Sequence, residues 1–543
     1  MKTYKYLTGG LIAVSLFMTS CVNDLNLEPI DPNVLVSSAI ADRPGAAIQS
    51  LAKCYASFVQ PGQNGGNDGD VDIAGINGGF GVYTRSLFNM QELTTDEVVC
   101  AWGDENIKDL HYQTWSPSLV YIGAMYSRII YTVSICNEFI RNTAGNSDPE
   151  TIKMNSEARF LRALAYYHAI DMFGNPAFIT EADKPGKFFP KQTSRAALFA
   201  YVEGELKSIE TSLGEPRFEY GRADKAAAWM LLARLYLNAN VYVGTDRNAD
   251  CIAYSNKVID AGYILEDNYR LNFSADNDKS KEIIFSFNND GKYSTTYGAV
   301  SFIIHSSVGP GMSAAEAGIG GGWGGNRTTK DFMNILVDTI ANAIVKSYPA
   351  AKPKPIVGDT YFSVVKDKRV WLQQLVKWDI TNTSSFTDGF GVRKFTNVKS
   401  DGTPADNYNS DFSSTDWPVF RLADAYLTRA EATLRSNGDR AAALSDVNIV
   451  RARAYKGTGV SGDITDSQLT LPFLLDERGR ELYWECTRRT DLIRFGQFTD
   501  GTYKWQWKGF AQTGQAVDAS RNLFPIPAAE VVANTNIKQN AGY

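Results

Sequence analysis

Residues 157–174 read EARFLRALAYYHAIDMFG, and the spacing within them decides the fold. Phe160, Leu164, Tyr167 and Ile170 recur at intervals of four, three and three, the repeat that lines one face of an α-helix. Two later stretches repeat the device, with Ala228, Leu231, Leu232 and Leu235 in phase in one and Ala423, Tyr426, Leu427 and Ala430 in phase in the other. Placed side by side, Phe160 to Tyr166, Leu231 to Leu237 and Tyr426 to Ala432 each interleave small Ala with Leu and Tyr. Small-against-large pairing lets antiparallel helix pairs pack closely, as in tetratricopeptide-type hairpins. The pattern predicts a mostly α fold in which tetratricopeptide-like helical hairpins form a scaffold.

Outward from these stretches, helical periodicity covers 118–262 and 420–487, with one earlier helix within 41–60. The intervening chain is different. Short β-like runs at Ile283–Phe287 and Val300–Ile304 alternate with glycine-rich loops, and 353–418 is rich in Pro, Asp, Asn, Ser and Thr without a sustained period. A further Gly/Asn/Asp-rich loop occupies 61–79. The expectation is a loop-rich insertion carrying short β-strands. Because binding residues concentrate on loops held by a rigid scaffold, about 61–117 and 283–418 form the expected ligand-binding region.

The N-terminus reads as a targeting segment. Lys2 and Lys5 precede an apolar run, Leu7 to Met18, which ends at Met18-Thr19-Ser20-Cys21. The run is of signal-peptide length and too short to span a bilayer. Small residues directly before Cys21 fit a lipoprotein signal, so residues 1–20 are expected to be removed and Cys21 lipidated. Residues 21–40 would form an extended tether in which Pro29 and Pro32 oppose a helix, leaving 41–543 as the working domain. Such a chain is anchored to a membrane rather than spanning it. The remaining cysteines, Cys54, Cys100, Cys136, Cys251 and Cys486, contain no CxxC pair. This argues against zinc and thioredoxin-like sites and for small buried residues.

The 543 residues carry 54 Lys and Arg against 60 Asp and Glu, a net charge of −6 without a basic patch, which argues against nucleic acid as a partner. Catalytic signatures are equally poor. The three histidines, His111, His168 and His305, form no HExxH, and no P-loop or G-x-S-x-G elbow occurs. His168 lies inside an apolar helix and reads as a core residue. Gly320, Gly322 and Gly325 spell G-x-G-x-x-G, but a dinucleotide site needs that motif in a tight strand-to-helix turn, and here it sits in a long glycine-saturated loop. Glu477, Glu481 and Glu485 fall at spacings of four among Arg478, Arg480, Arg488 and Arg489, a pattern of helix-surface ion pairs rather than a catalytic carboxylate pair. Asp276-Asn277-Asp278 ahead of Glu282 gathers hard oxygen donors of the kind calcium takes, although the spacing is not that of an EF-hand and a solvated turn explains it equally. No cofactor is required.

An ordered set of motifs carries a more specific signal. It comprises Cys21-Val22-Asn23-Asp24-Leu25 with Ile30-Asp31-Pro32, Glu157 to Ala163 leading to Met172-Phe173-Gly174, and Gly221 to Ala226. Phe420 to Leu427, Arg488 to Gly496, Phe524-Pro525-Ile526-Pro527 and the terminal Gln539 to Tyr543 complete it. Together they resemble the SusD/RagB family of outer-membrane nutrient-binding lipoproteins over essentially the whole chain. Tyr83 to Asn89, Glu92 to Glu97, Ala101-Trp102, Trp115 to Ser118 and Ser385 to Gly389 further resemble the family's starch-binding founding member.

That resemblance implies a lipid-anchored, surface-exposed protein of the outer membrane without catalytic residues. It would bind starch or malto-oligosaccharides and pass them to a TonB-dependent transporter. Carried over residue by residue, it implies an aromatic arc of Trp102, Tyr297 and Trp323 with Arg85 and Asn106 as polar partners, and it adds weight to calcium at Asp276–Asp278. The alternative of Tyr293 for Tyr297 stays open, because both lie in one loop. The glycine-flanked Trp323 has few sequence neighbours to bury against, as a ligand platform would. The chain departs from the family between about 310 and 385, where it is shorter. Rival readings are the same scaffold holding another glycan or a peptide, a surface glycoside hydrolase, and a structural subunit that touches no sugar.

Overall fold

Helices begin where the sequence supplies a cap. Asp148 accepts the Thr151 N–H at 2.9 Å with Pro149 in the first helical position, and Ser194, Asp224 and Thr470 do the same for Ala197, Ala227 and Phe473. Each cap satisfies a donor that the helix start leaves open, an effect of about 1 kcal/mol. The helices then pack in sequence-adjacent pairs. Val120–Asn142 lies on Pro149–Met172, which also meets Arg195–Ile209; Lys225–Leu237 lies on Asn248–Ile259. Leu422–Arg435 meets Asn248–Ile259, Arg440–Tyr455 and Leu471–Leu482. The alanines of the repeated pattern sit in these contacts. Ala158, Ala163 and Ala165, and likewise Ala226, Ala227, Ala228 and Ala233, are fully buried. A methyl group there lets the backbones approach where a larger side chain would hold them apart. The fold is mostly α with a helical-hairpin scaffold, as the periodicity predicts.

The computed structural model describes residues 45–63, 71–183, 186, 188–337 and 365–543. Residues 1–20, Cys21 and the 21–40 tether lie outside the described residues. Leu51–Tyr543 make one compact unit; Gly45–Ser50 contribute a turn and the start of the helix Ala46–Val59. No helix among the described residues is long and apolar enough to cross a membrane. Among the described residues three two-stranded antiparallel ladders complete the architecture: Val99–Cys100 with Asn326–Arg327, Ile283–Phe287 with Trp417–Arg421, and Leu372–Gln374 with Phe390–Val392.

The structure corrects two sequence expectations. Val300–Ile304 is not a strand but part of the helix Ala299–Ser307, buried along its whole length. A short apolar run has no periodicity with which to separate strand from buried helix. Here the Thr84 hydroxyl accepts the Ala299 N–H at 3.0 Å at the helix start. The second correction concerns the glutamates. The helix Leu471–Leu482 ends before Glu485, and Glu477 and Glu481 are fully buried rather than on its surface.

These carboxylates sit in a lattice of buried arginines. Arg369 bonds Glu477 at 2.7 Å and Asp367 at 2.6 Å, and Arg451 meets Glu477 at 2.7 Å. Arg421 reaches Glu282, Glu481 and Glu485 at 2.5, 2.9 and 2.8 Å, and Arg453 reaches Glu282 and Glu481 at 2.8 and 2.5 Å. Burial alone would raise the Glu481 pKa, but Arg453, Arg421 and Arg369 outweigh it and hold the carboxylate at about 2. Removing one partner of such a set leaves a buried charge uncompensated, which costs about 3–5 kcal/mol.

The sign with pH follows from the depressed value. The stability that ionised Glu481 contributes is fully present above its ordinary 4.5 and is lost as the pH falls from there towards about 2. Glu481→Gln is therefore expected to lower the unfolding free energy by about 3 kcal/mol or more at pH 7, with a smaller deficit against the parent at pH 3. Urea unfolding at both pH values checks this. An equal deficit at both would mean that the carboxylate contributes shape rather than charge.

Candidate functional site

The ladder between Val99–Cys100 and Asn326–Arg327 brings together two loops more than two hundred positions apart. Its last rung, the Ala101 N–H to the Gly325 carbonyl at 2.8 Å, sets Trp102 against the glycine-rich loop. The Trp102 indole N–H then donates to the Trp323 carbonyl at 3.0 Å. The glycines are required by this approach. A Cβ on Gly325 would stand 2.5 Å from the Trp102 ring, and one on Gly322 would stand 2.1 Å from the Val308 carbonyl oxygen. G-x-G-x-x-G is here a packing device for a ring and a backbone, not a phosphate cradle.

Three rings converge. Trp102 and Trp323 have centroids 6.3 Å apart and planes inclined by 47°. Tyr297 and Trp323 are 6.0 Å apart at 50°. All three are half-buried, so each keeps part of its surface open. Tyr297 is backed by Phe412 at 4.9 Å, whereas Tyr293 is 76% exposed with the Lys292 ammonium over its ring at 4.7 Å. Of the two tyrosines left open by the sequence, Tyr297 is the one that meets Trp323.

Arg85 enters from the helix Tyr83–Gln91. Its guanidinium lies 4.4 Å from the Phe302 ring centroid and 5.7 Å from that of Trp102, and it donates to the Gly79 carbonyl at 2.7 Å. Burial lowers its pKa to about 10, with Tyr121, Cys100 and Asp104 acting the other way, so it remains charged at neutral pH. Asn106 stands exposed on the 3-10 turn Asp104–Asn106 that follows Trp102, on the same short segment as the ring.

His305 is the residue that sequence reasoning missed. Its imidazole stacks on Trp323 with centroids 4.7 Å apart and planes 20° from parallel. Its Nδ1 meets the Gly321 carbonyl at 2.7 Å and its Nε2 the Asp411 carbonyl at 3.1 Å. Burial lowers its pKa while the two carbonyls pull it back up. The imidazole thus fixes one face of Trp323 and ties the 321 and 411 loops together. The apolar run before it offered no signal, because the helix that carries it reads as a strand. Nor does Trp323 lack neighbours, as its flanking glycines implied; they come from distant segments. His168, by contrast, is a core residue, hydrogen-bonded to the Tyr83 hydroxyl at 2.7 Å.

The candidate calcium donors are largely engaged. The Asn277 amide donates to the Asn272 and Asp416 carbonyls at 3.0 and 2.9 Å and accepts the Asp416 N–H at 3.1 Å. Asp276 accepts the Ser400 N–H and hydroxyl at 2.7 and 2.9 Å. Asp278 is exposed. Among the described residues there is no group of three or more His, Cys, Asp and Glu side chains that could hold a metal ion. Asp276 and Asn277 pin loops to one another through these bonds.

A helical scaffold here presents a half-open arc of inclined rings, surfaces on which a ligand can stack. Residues 356–543 match the model of the SusD family. The whole chain is 36% identical over 581 aligned residues to the Starch-binding protein SusD of Bacteroides thetaiotaomicron, with all of both chains covered. It is 26% identical to SusD-like protein P25 of Formosa agariphila across 75% of this chain and 76% of that one. The chain belongs to the SusD family. A SusD-like protein from Bacteroides fragilis superposes with a TM-score of 0.69, covering 94% of this chain and 99% of that one. Surface glycan-binding protein A from Bacteroides fluxus does so with 0.66, covering 92% and 100%. Both are 19% identical to this chain, a likeness of fold.

The geometry predicts the effect of filling the ring contact. Gly325→Ala is expected to displace the Trp102 indole and break its bond to Trp323. Fluorotryptophan NMR, with the Trp102 resonance assigned by Trp102→Phe, should show that signal shifted, its neighbour Trp323 following and the remaining tryptophans little changed. An unmoved Trp102 signal would mean that the loop yields instead of the ring.

Proposed function

We propose that the chain is a cell-surface receptor for starch, binding α-1,4-linked glucose chains on the Trp102–Trp323–Tyr297 arc and releasing them to a TonB-dependent outer-membrane transporter. In this reading Cys21 carries the lipid that holds the protein at the outer membrane. The observation that carries the ligand class is the mutual inclination of the rings, 47° and 50° across the two contacts. The apolar C–H faces of glucose stack on aromatic rings. A set of platforms turned against one another follows the curve of an α-1,4-glucan, whereas a flat β-1,4 chain would meet only one of them. Full-length likeness to a protein named for starch binding supports the same ligand.

The polar partners are assigned by chemistry. Arg85 offers a rigid fork of donors, and Asn106 offers both a donor and an acceptor for neighbouring hydroxyls. Because His305, the Trp102 N–H and the ladder fix Trp323 before any ligand arrives, little ordering is needed on binding. The rings are half-buried, so each offers only part of its surface to stacking, which suits a receptor that must let its sugar go.

Calorimetric titration of the protein with maltoheptaose, beside a cellohexaose control, tests the reading. Heat with maltoheptaose alone is expected, and Trp323→Ala should weaken it about tenfold or more, a loss of about 1.4 kcal/mol or more. Heat with cellohexaose of similar size would move the assignment to another glycan. No heat with either would leave the rings without a starch role.

A further inference from the structure

We propose that Cys54 and Cys136 form a disulfide when the chain folds in an oxidising environment. The two cysteines face each other across a helix pair. Helices Ala46–Val59 and Val120–Asn142 are joined where the Ser57 hydroxyl donates to that of Thr132 at 3.1 Å. Moving one turn back along the first helix reaches Cys54, and moving one turn forward along the second reaches Cys136. The Cys54 Sγ lies 3.9 Å from the Ile135 carbonyl oxygen, so the two helices run antiparallel in that register. Both residues are wholly buried. The Cys54 thiol is raised by its contact with the Cys136 thiol and, next, by burial, which agrees with sulfur facing sulfur.

The other cysteines occupy separate surroundings. Cys100 pairs in a ladder with Asn326, Cys251 sits near Ser255 and Glu431, and the Cys486 N–H is held by Glu92. The pairing is therefore selective, with Cys54 and Cys136 the two that the fold brings together.

The step balances as thiol–disulfide exchange. One cysteine, as thiolate, attacks a small-molecule or protein disulfide and forms a mixed disulfide. The second cysteine displaces it. Two S–H bonds are lost and one S–S bond forms, and the two electrons and two protons leave with the incoming disulfide as a pair of thiols. Both thiols are buried away from any oxidant in the folded chain, and the raised Cys54 thiol is a poor nucleophile, so the bond must close while the helices dock and not afterwards. Formation in the cell rests on the lipoprotein reading, since export takes the chain out of the reducing cytosol; the pairing itself does not.

The full chain carrying Cys21→Ser retains five cysteines. It is refolded in a reduced/oxidised glutathione buffer, unfolded, alkylated with iodoacetamide and weighed. Three labels before reduction and five after are expected, with a peptide joining Cys54 to Cys136 in the digest. Cys54→Ser and Cys136→Ser should each give four labels both before and after reduction. Cys100→Ser should give two before and four after; since it keeps the pair, it serves as a folding-competent control. Five labels throughout in the Cys21→Ser parent, or two missing thiols in Cys54→Ser, would overturn the pairing. Three labels after refolding but five in protein taken from cells would uphold the pairing and overturn its formation in the cell.

Discussion

An ionised carboxylate cannot stay in a protein core without a cation beside it, and Glu477 and Glu481 are both ionised and fully buried. Everything around them is arranged to meet that requirement. The arginines come from four places: the 367–369 turn, the strand Trp417–Arg421, the helix Arg440–Tyr455 and the carboxylates' own helix. A second set extends outward through Arg478 to Asp424 and Asp491 and through Arg494 to Glu431. Arg488 carries it to Asp96 in the turn that precedes the Trp102 loop. Buried ion pairs of this kind add little net stability over apolar packing. Their effect is exclusion, because any arrangement that leaves one charge unpaired is heavily penalised.

The ring arc inherits its precision from that exclusion. Strand Ile283–Phe287 is fixed against Trp417–Arg421, whose Arg421 belongs to the lattice. The chain leaving the first strand supplies Tyr297 and then the helix Ala299–Ser307 with Phe302 and His305; the chain entering the second supplies Asp411 and Phe412. The rings therefore stand on loops whose ends are immobilised by charge, which is how irregular segments hold side chains in a set geometry.

Fold and site follow different rules in this family. Chains only 19% identical keep the architecture, because many sequences satisfy a pattern of small and large residues on a helix face. The rings are not implied by that pattern. They depend on particular residues, such as the glycine at 325 that admits Trp102, so a shared scaffold does not entail a shared ligand.

The sequence by itself determined the helical hairpins, since the interval between Phe160, Leu164, Tyr167 and Ile170 is a local property that survives without knowledge of partners. It also named Trp102, Tyr297, Trp323 and Arg85, through resemblance and through an indole set among glycines. Only the tertiary structure decided that these groups meet, that Tyr297 and not Tyr293 packs on Trp323, that His305 backs Trp323, and that Asn277 ties the Asn272 and Asp416 segments together. It also turned Val300–Ile304 into a helix and took Glu477 and Glu481 inside. The reason is common to all of these. Periodicity reports which side of an element is apolar, but the fate of an unpatterned apolar run or a row of charges depends on what approaches it. Here the approaching groups, Thr84 above Ala299 and Arg369 and Arg421 beside the glutamates, come from segments far away along the chain.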